Sequence, residues 1–129
     1  MKEITYRGHR IRTGEKYQPG QDAKQIAQFI RRNIARAKRD GTIPKALHTT
    51  VLVRRYANGC SIDIVVRGLP QDAPPFDSNV EAQYSDYGMG INELLSPIYE
   101  SYQRTEDNSP GDYRSSNFLG FVKWQVVPA

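Results

Sequence analysis

The sequence predicts an α+β fold: an antiparallel sheet with two helices packed on one face, in the order β-α-β-β-α-β, an order that a ferredoxin-like sheet shares. Three observations predict it. An apolar stripe of helical period lies between a capping signal and a glycine, two β-branched runs flank Asn58-Gly59, and an alternating aromatic run closes the chain. The chain has 129 residues, 38% of them hydrophobic and 25% charged, which fits one globular domain over 1–129 rather than a disordered or fibrous chain.

The first element is a strand or small hairpin over residues 3–12, around Gly8. Pro19-Gly20 then breaks the chain, and Asp22 opens a helix. Asp22 as N-cap with Gln25 three residues on forms a capping box, which satisfies the first orphan N–H groups. Ala23, Ile26, Ile30, Ile34 and Ala37 make the buried stripe, widened by Ala27 and Asn33. Lys38 and Arg39 suit the negative end of the helix dipole, and Gly41 suits the left-handed position that ends the helix near residue 40.

Next comes a hairpin, Thr50–Tyr56 and Cys60–Arg67, with Asn58-Gly59 as its turn. That turn sets Val53 opposite Ile64, Val51 opposite Val66 and Arg54 opposite Asp63. Val51, Val53, Ile62, Ile64 and Val66 share the inner face, while Thr50, Arg54, Ser61, Asp63 and Arg67 take the outer one. Residues 68–90, rich in proline and glycine, read as a long flexible loop, with Gly88-Met89-Gly90 as a turn or hinge. A second helix follows at about 91–104, kinked or restarted at Pro97. The polar stretch Thr105–Asn117 leads to a last strand in which Phe118, Val122, Trp124 and Val126 face inward.

The motifs argue against catalysis. The chain has no G-x-S-x-G elbow, phosphate-binding loop or H-E-x-x-H, and Gly88-Met89-Gly90 lacks the third glycine of a dinucleotide fingerprint. Cys60 has no histidine near it in sequence and reads as a small core residue; His9 and His48 read as surface residues. These three residues are too few for a soft-metal set, so neither metal nor cofactor is expected. A single cysteine excludes an internal disulfide and fits a reducing compartment. No apolar run approaches the ~18 residues of a membrane span, and residues 1–20 hold no signal-peptide core. The expected location is the host-cell cytoplasm, away from membranes.

Charge carries the functional signal. The net charge of +4 divides into +10 over residues 1–70 and −6 over residues 71–129. Six cations and no acid lie between Lys24 and Arg39. Arg32, Arg36 and Arg39 fall opposite the apolar stripe, and Lys24, Arg31 and Lys38 on one shoulder. Like charges at these spacings cost a few tenths of a kcal/mol each. A polyanion is one thing that offsets the cost; the acidic segment 72–86 of the same chain is another. Gly120-Phe121-Val122-Lys123-Trp124 echoes the tail of an RNA-recognition pattern, but it belongs to a last strand and the central strand Ser61–Arg67 has no aromatic to stack a base.

Three blocks together are similar to the large polyvalent protein-associated domains of phage and conjugative-element proteins. They are the helix segment 23–31, the hairpin Arg55–Ile64, and Tyr102 followed by Gly111-Asp112-Tyr113 and Asn117-Phe118. The likeness spans residues 20–126; Asn58 departs from it by standing where the family has a glycine. That family supplies no catalytic residues. The resemblance implies a phage or mobile-element accessory role.

The expectation is therefore a non-catalytic module that binds nucleic acid through Lys24, Arg31, Arg32, Arg36, Arg39, Arg54 and Arg55. The alternative is an inhibitor or adaptor that binds a host protein through a tyrosine-rich acidic surface, Tyr84, Asp86, Tyr87 and Tyr113.

Overall fold

The computed structural model describes residues 2–57, 59–67, 85–108 and 113–125, with backbone alone at 113 and 114. In chain order the elements are β1 (Lys2–Tyr6), β2 (His9–Thr13), α1 (Ala23–Arg39), β3 (His48–Tyr56), β4 (Gly59–Arg67), α2 (Asp86–Glu100), β5 (Arg104–Asn108), β6 (Tyr113–Ser116) and β7 (Leu119–Trp124). The class is α+β. Its strands form two sheets, an antiparallel β1-β2-β5-β6 and a mixed β3-β4-β7 in which β7 runs parallel to β4.

The simple order β-α-β-β-α-β is thus corrected by three further strands, and the single sheet of a ferredoxin-like arrangement is not formed. The first run is a hairpin closed at Tyr6↔His9, where Arg7 (φ 49°) and Gly8 (φ 81°) make a tight turn with positive φ at both central residues. The polar stretch supplies β5 and β6. β5 (Arg-Thr-Glu-Asp-Asn) and β6 (Tyr-Arg-Ser-Ser) carry no apolar alternation, so a period of two could not announce them.

Helix α1 follows the sequence closely. The Asp22 carboxylate accepts from the Gln25 N–H at 2.8 Å, and the Gln25 side chain accepts from the Asp22 N–H at 3.2 Å. Gly41 takes φ 80°, just past the C-cap Asp40. Ala23, Ile26, Ala27, Ile30 and Ile34 are buried in one core with Val51, Ile62, Ile64 and Val66 of the mixed sheet and with Ile91 and Leu95 of α2.

The β3–β4 hairpin keeps its expected faces but not its register. Val51 pairs with Ile64, Val53 with Ile62 and Arg54 with Ser61, and the strands close at Tyr56↔Gly59. This is a slip of two residues from a turn at Asn58-Gly59. A period of two leaves every side chain on its expected face, so the apolar pattern could not tell the two registers apart. Gly59, at φ 152°, begins β4 instead of sitting inside the turn.

Helix α2 begins earlier than its apolar residues suggest. Ser85 caps it, accepting from the Gly88 N–H at 3.1 Å, and Asp86 complements the dipole in the first turn. Gly88-Met89-Gly90 is therefore helical, not a hinge. Pro97 is accommodated inside one continuous helix that ends at Glu100. The expectations for residues 68–84 and Val126 fall outside the described residues.

Among the described residues, the antiparallel sheet is tied to the rest of the chain at two joints. The Gly14 N–H donates to the Gln103 carbonyl and the Lys16 N–H to the Ser101 carbonyl, both at 2.8 Å. A Cβ at Gly14 would collide with the carbonyl oxygens of Glu100 and Ser101. Asn117 forms the second joint. Its Oδ1 accepts from the Arg104 N–H at 2.8 Å and the Phe118 N–H at 3.2 Å, while its Nδ2 donates to the Tyr102 carbonyl at 2.9 Å.

Candidate nucleic-acid interface

The expected site separates into three sets of cations. Arg32, Arg36 and Arg39 form an exposed row on α1, opposite its buried stripe. The Arg32 guanidinium lies 5.9 Å from the centroid of the Phe29 ring, which leaves its donors available to solvent. Among the described residues, no carboxylate comes within ion-pair distance of any of the six α1 cations; the ion pairs there involve other residues. Of the acids expected to compete for them, Asp86 is described and exposed, whereas Asp72, Asp77 and Glu81 lie outside the described residues.

The second set lines a groove of about 570 Å3 between α1 and β3, formed by Lys24, Gln28 and Arg31 on the helix and Val51, Leu52, Val53 and Arg55 on the strand. Arg31 Nη2 donates to the Val51 carbonyl at 2.7 Å, so this cation is fastened to the strand edge. Arg55 falls on the helix side because it shares the face of Val51 and Val53. Gln28 and the strand edge were invisible as site features in the sequence. Helical spacing places Gln28 one turn from Lys24, but nothing local indicates which strand that shoulder will meet.

Arg54, expected with the others, is on the opposite face of the sheet. Its Nε lies 3.0 Å from Asp63 Oδ2, and Lys123 Nζ of β7 lies 3.0 Å from the same oxygen. The Asp63 side chain is fully buried between these two cations, and neither of its oxygens makes an aligned hydrogen bond among the described residues. A carboxylate so placed neutralises much of the charge Arg54 would offer a ligand. Leu52, not Arg54, stands directly across from Asp63, and Arg54 reaches it diagonally.

The tyrosine surface is not assembled by the described residues. Tyr87 packs partly against the core, and Tyr84 and the Tyr113 side chain lie outside the described residues. Tyr102 is buried, stacked 5.9 Å from Phe29, and its hydroxyl accepts from Asn33 Nδ2 at 2.6 Å. Cys60 packs at the edge of the core, its thiol 3.6 Å from the Asn117 carbonyl, and borders a cleft of about 630 Å3 between the two sheets. Phe118 is buried and Trp124 packs partly against the core, whereas Phe121 is exposed. Among the described residues there is no group of three or more His, Cys, Asp or Glu able to hold a metal ion, and no helix long and apolar enough to cross a membrane.

Comparisons with protein-family models, curated proteins and solved structures find no match.

Proposed function

We propose that this protein is a non-catalytic module that binds nucleic acid through phosphate contacts on the outer face of α1, as a phage or mobile-element accessory protein. One observation carries the reading: the exposed row Arg32, Arg36 and Arg39, with no carboxylate partner among the described residues. Guanidinium groups recognise phosphate oxygens in pairs, and a row one to two turns apart follows a backbone without reading bases. Binding is therefore indifferent to sequence and sensitive to salt.

Fluorescence anisotropy with labelled duplex DNA and RNA at several salt concentrations tests it. If about six phosphates are neutralised, log K falls with log salt at a slope near −5 on duplex DNA. Replacing Arg32, Arg36 and Arg39 together by Gln reduces that slope by about 3, because each lost phosphate contact removes about 0.9. Arg54→Gln leaves the slope unchanged, since Arg54 is already held by Asp63. Absence of binding at about 50 mM salt, where such contacts are strongest, ends the reading.

A further inference from the structure

We propose that the free edge of β3, together with the groove lined by Lys24, Arg31 and Arg55, binds an extended acidic peptide of a partner protein by strand addition. The inference does not rest on the nucleic-acid reading, which is carried by the exposed row Arg32, Arg36 and Arg39.

The main-chain directions follow from the pairing. The Val66 carbonyl accepts from the Gln125 N–H at 2.9 Å, so even-numbered residues of β4 point their backbone toward β7 and odd-numbered ones toward β3. With Ser61 opposite Arg54 and Asp63 opposite Leu52, the even-numbered residues of β3 bond to β4. The odd ones, Thr49, Val51, Val53 and Arg55, turn their N–H and C=O groups outward. Arg31 confirms the direction, because its guanidinium reaches the Val51 carbonyl from the α1 side. β3 is a nine-residue edge strand, and no described strand pairs with its outer side.

An edge of this kind is a template for another strand, and its neighbours decide which strand is admitted. Lys24, Arg31 and Arg55 line the space that an added strand's side chains would enter on the α1 side. Strand side chains alternate, so residues entering the groove recur about every 6.7 Å. The fitting peptide is extended and carries Asp or Glu at alternate positions. The Arg31 contact with Val51 covers an acceptor that the incoming N–H replaces, which releases Arg31 to a peptide carboxylate.

Two other occupants fit less well. Antiparallel pairing with a second copy of β3 would bring the Lys24, Arg31 and Arg55 sets of both copies along one seam, a like-charge arrangement that opposes pairing. A nucleic-acid strand offers phosphate oxygens, which are acceptors only, to an edge on which half the groups are carbonyl acceptors. The groove walls Val51, Leu52 and Val53 also provide no aromatic ring for a base to stack on.

The test uses the intact protein and a labelled, end-capped heptapeptide of alternating Glu and Thr, read by anisotropy. Two further peptides are N-methylated at alternate amides, one in each phase. Strand addition predicts that one phase binds as well as the parent and the other at least about tenfold more weakly, because only one set of amides meets the edge. Lys24→Gln with Arg55→Gln weakens binding about tenfold, while the triple Gln variant of Arg32, Arg36 and Arg39 changes it less than about twofold. All the substituted side chains are exposed, and circular dichroism with a thermal melt verifies that each variant is folded. Equal binding of both methylated peptides overturns the proposal, as does the absence of saturable binding by the parent peptide. Binding of oligothymidylate that is lost in the Lys24/Arg55 variant while the peptide fails to bind assigns the groove to nucleic acid instead.

Discussion

At the scale of single residues, polar side chains do more structural work than their types suggest. Asn117 spends three hydrogen bonds on the Arg104 and Phe118 amides and the Tyr102 carbonyl, which joins the start of β5 to the start of β7. Asn117→Ala leaves those half-buried backbone groups without partners and should cost about 2 kcal/mol, measured by urea unfolding. Asp63 was legible as a polar residue on the outer face of a strand, but not as a fully buried carboxylate shared by Arg54 and Lys123. Alternation reports which face a residue takes; it does not report what a neighbouring strand brings beside it. Asp63→Asn removes the charge that separates two cations and should lower stability by about 1–2 kcal/mol, a moderate loss because both cations remain partly solvated. Urea, which is uncharged, is the denaturant that preserves this difference.

At the scale of elements, agreement between sequence and structure tracks the strength of local signals. Helix α1 has a capping box, one apolar stripe and a terminal glycine, and all three act as expected. Helix α2 has a capping serine followed by two glycines, and the cap prevails because tertiary packing of Ile91 and Leu95 supports the whole helix. Gly90 lies in this helix with open space where a Cβ would project. Gly90→Ala should therefore raise stability by about 0.5–1 kcal/mol, visible as a higher thermal midpoint. Gly120 is the opposite case. It lies on β7 against the Tyr99 ring, so a Cβ there displaces an aromatic side chain. The β3–β4 hairpin shows the limit of pattern reading: two registers with identical faces are separated by turn geometry alone.

At the scale of the whole molecule, the described strands form two sheets, and the buried core lies against the mixed one. Among the described residues, none of β1, β2, β5 or β6 belongs to the buried cluster, so that sheet depends on its ties to the rest. Gly14 is the closest of those ties, with no room for a side chain beside the end of α2. Gly14→Ala should cost about 2–4 kcal/mol, and hydrogen exchange should show the β1-β2-β5-β6 amides losing protection first. The amino-acid sequence by itself determined the α+β class, α1 with both its caps, the faces of the β3–β4 hairpin and the concentration of positive charge in the first half, because each is set by spacing within a short segment. Only the tertiary structure decided that the described strands divide between two sheets, that Arg54 turns to Asp63, and that Lys24 and Arg31 meet Arg55 at the outer edge of β3. Those outcomes depend on which distant segments pack together, and a local periodicity holds no information about that choice.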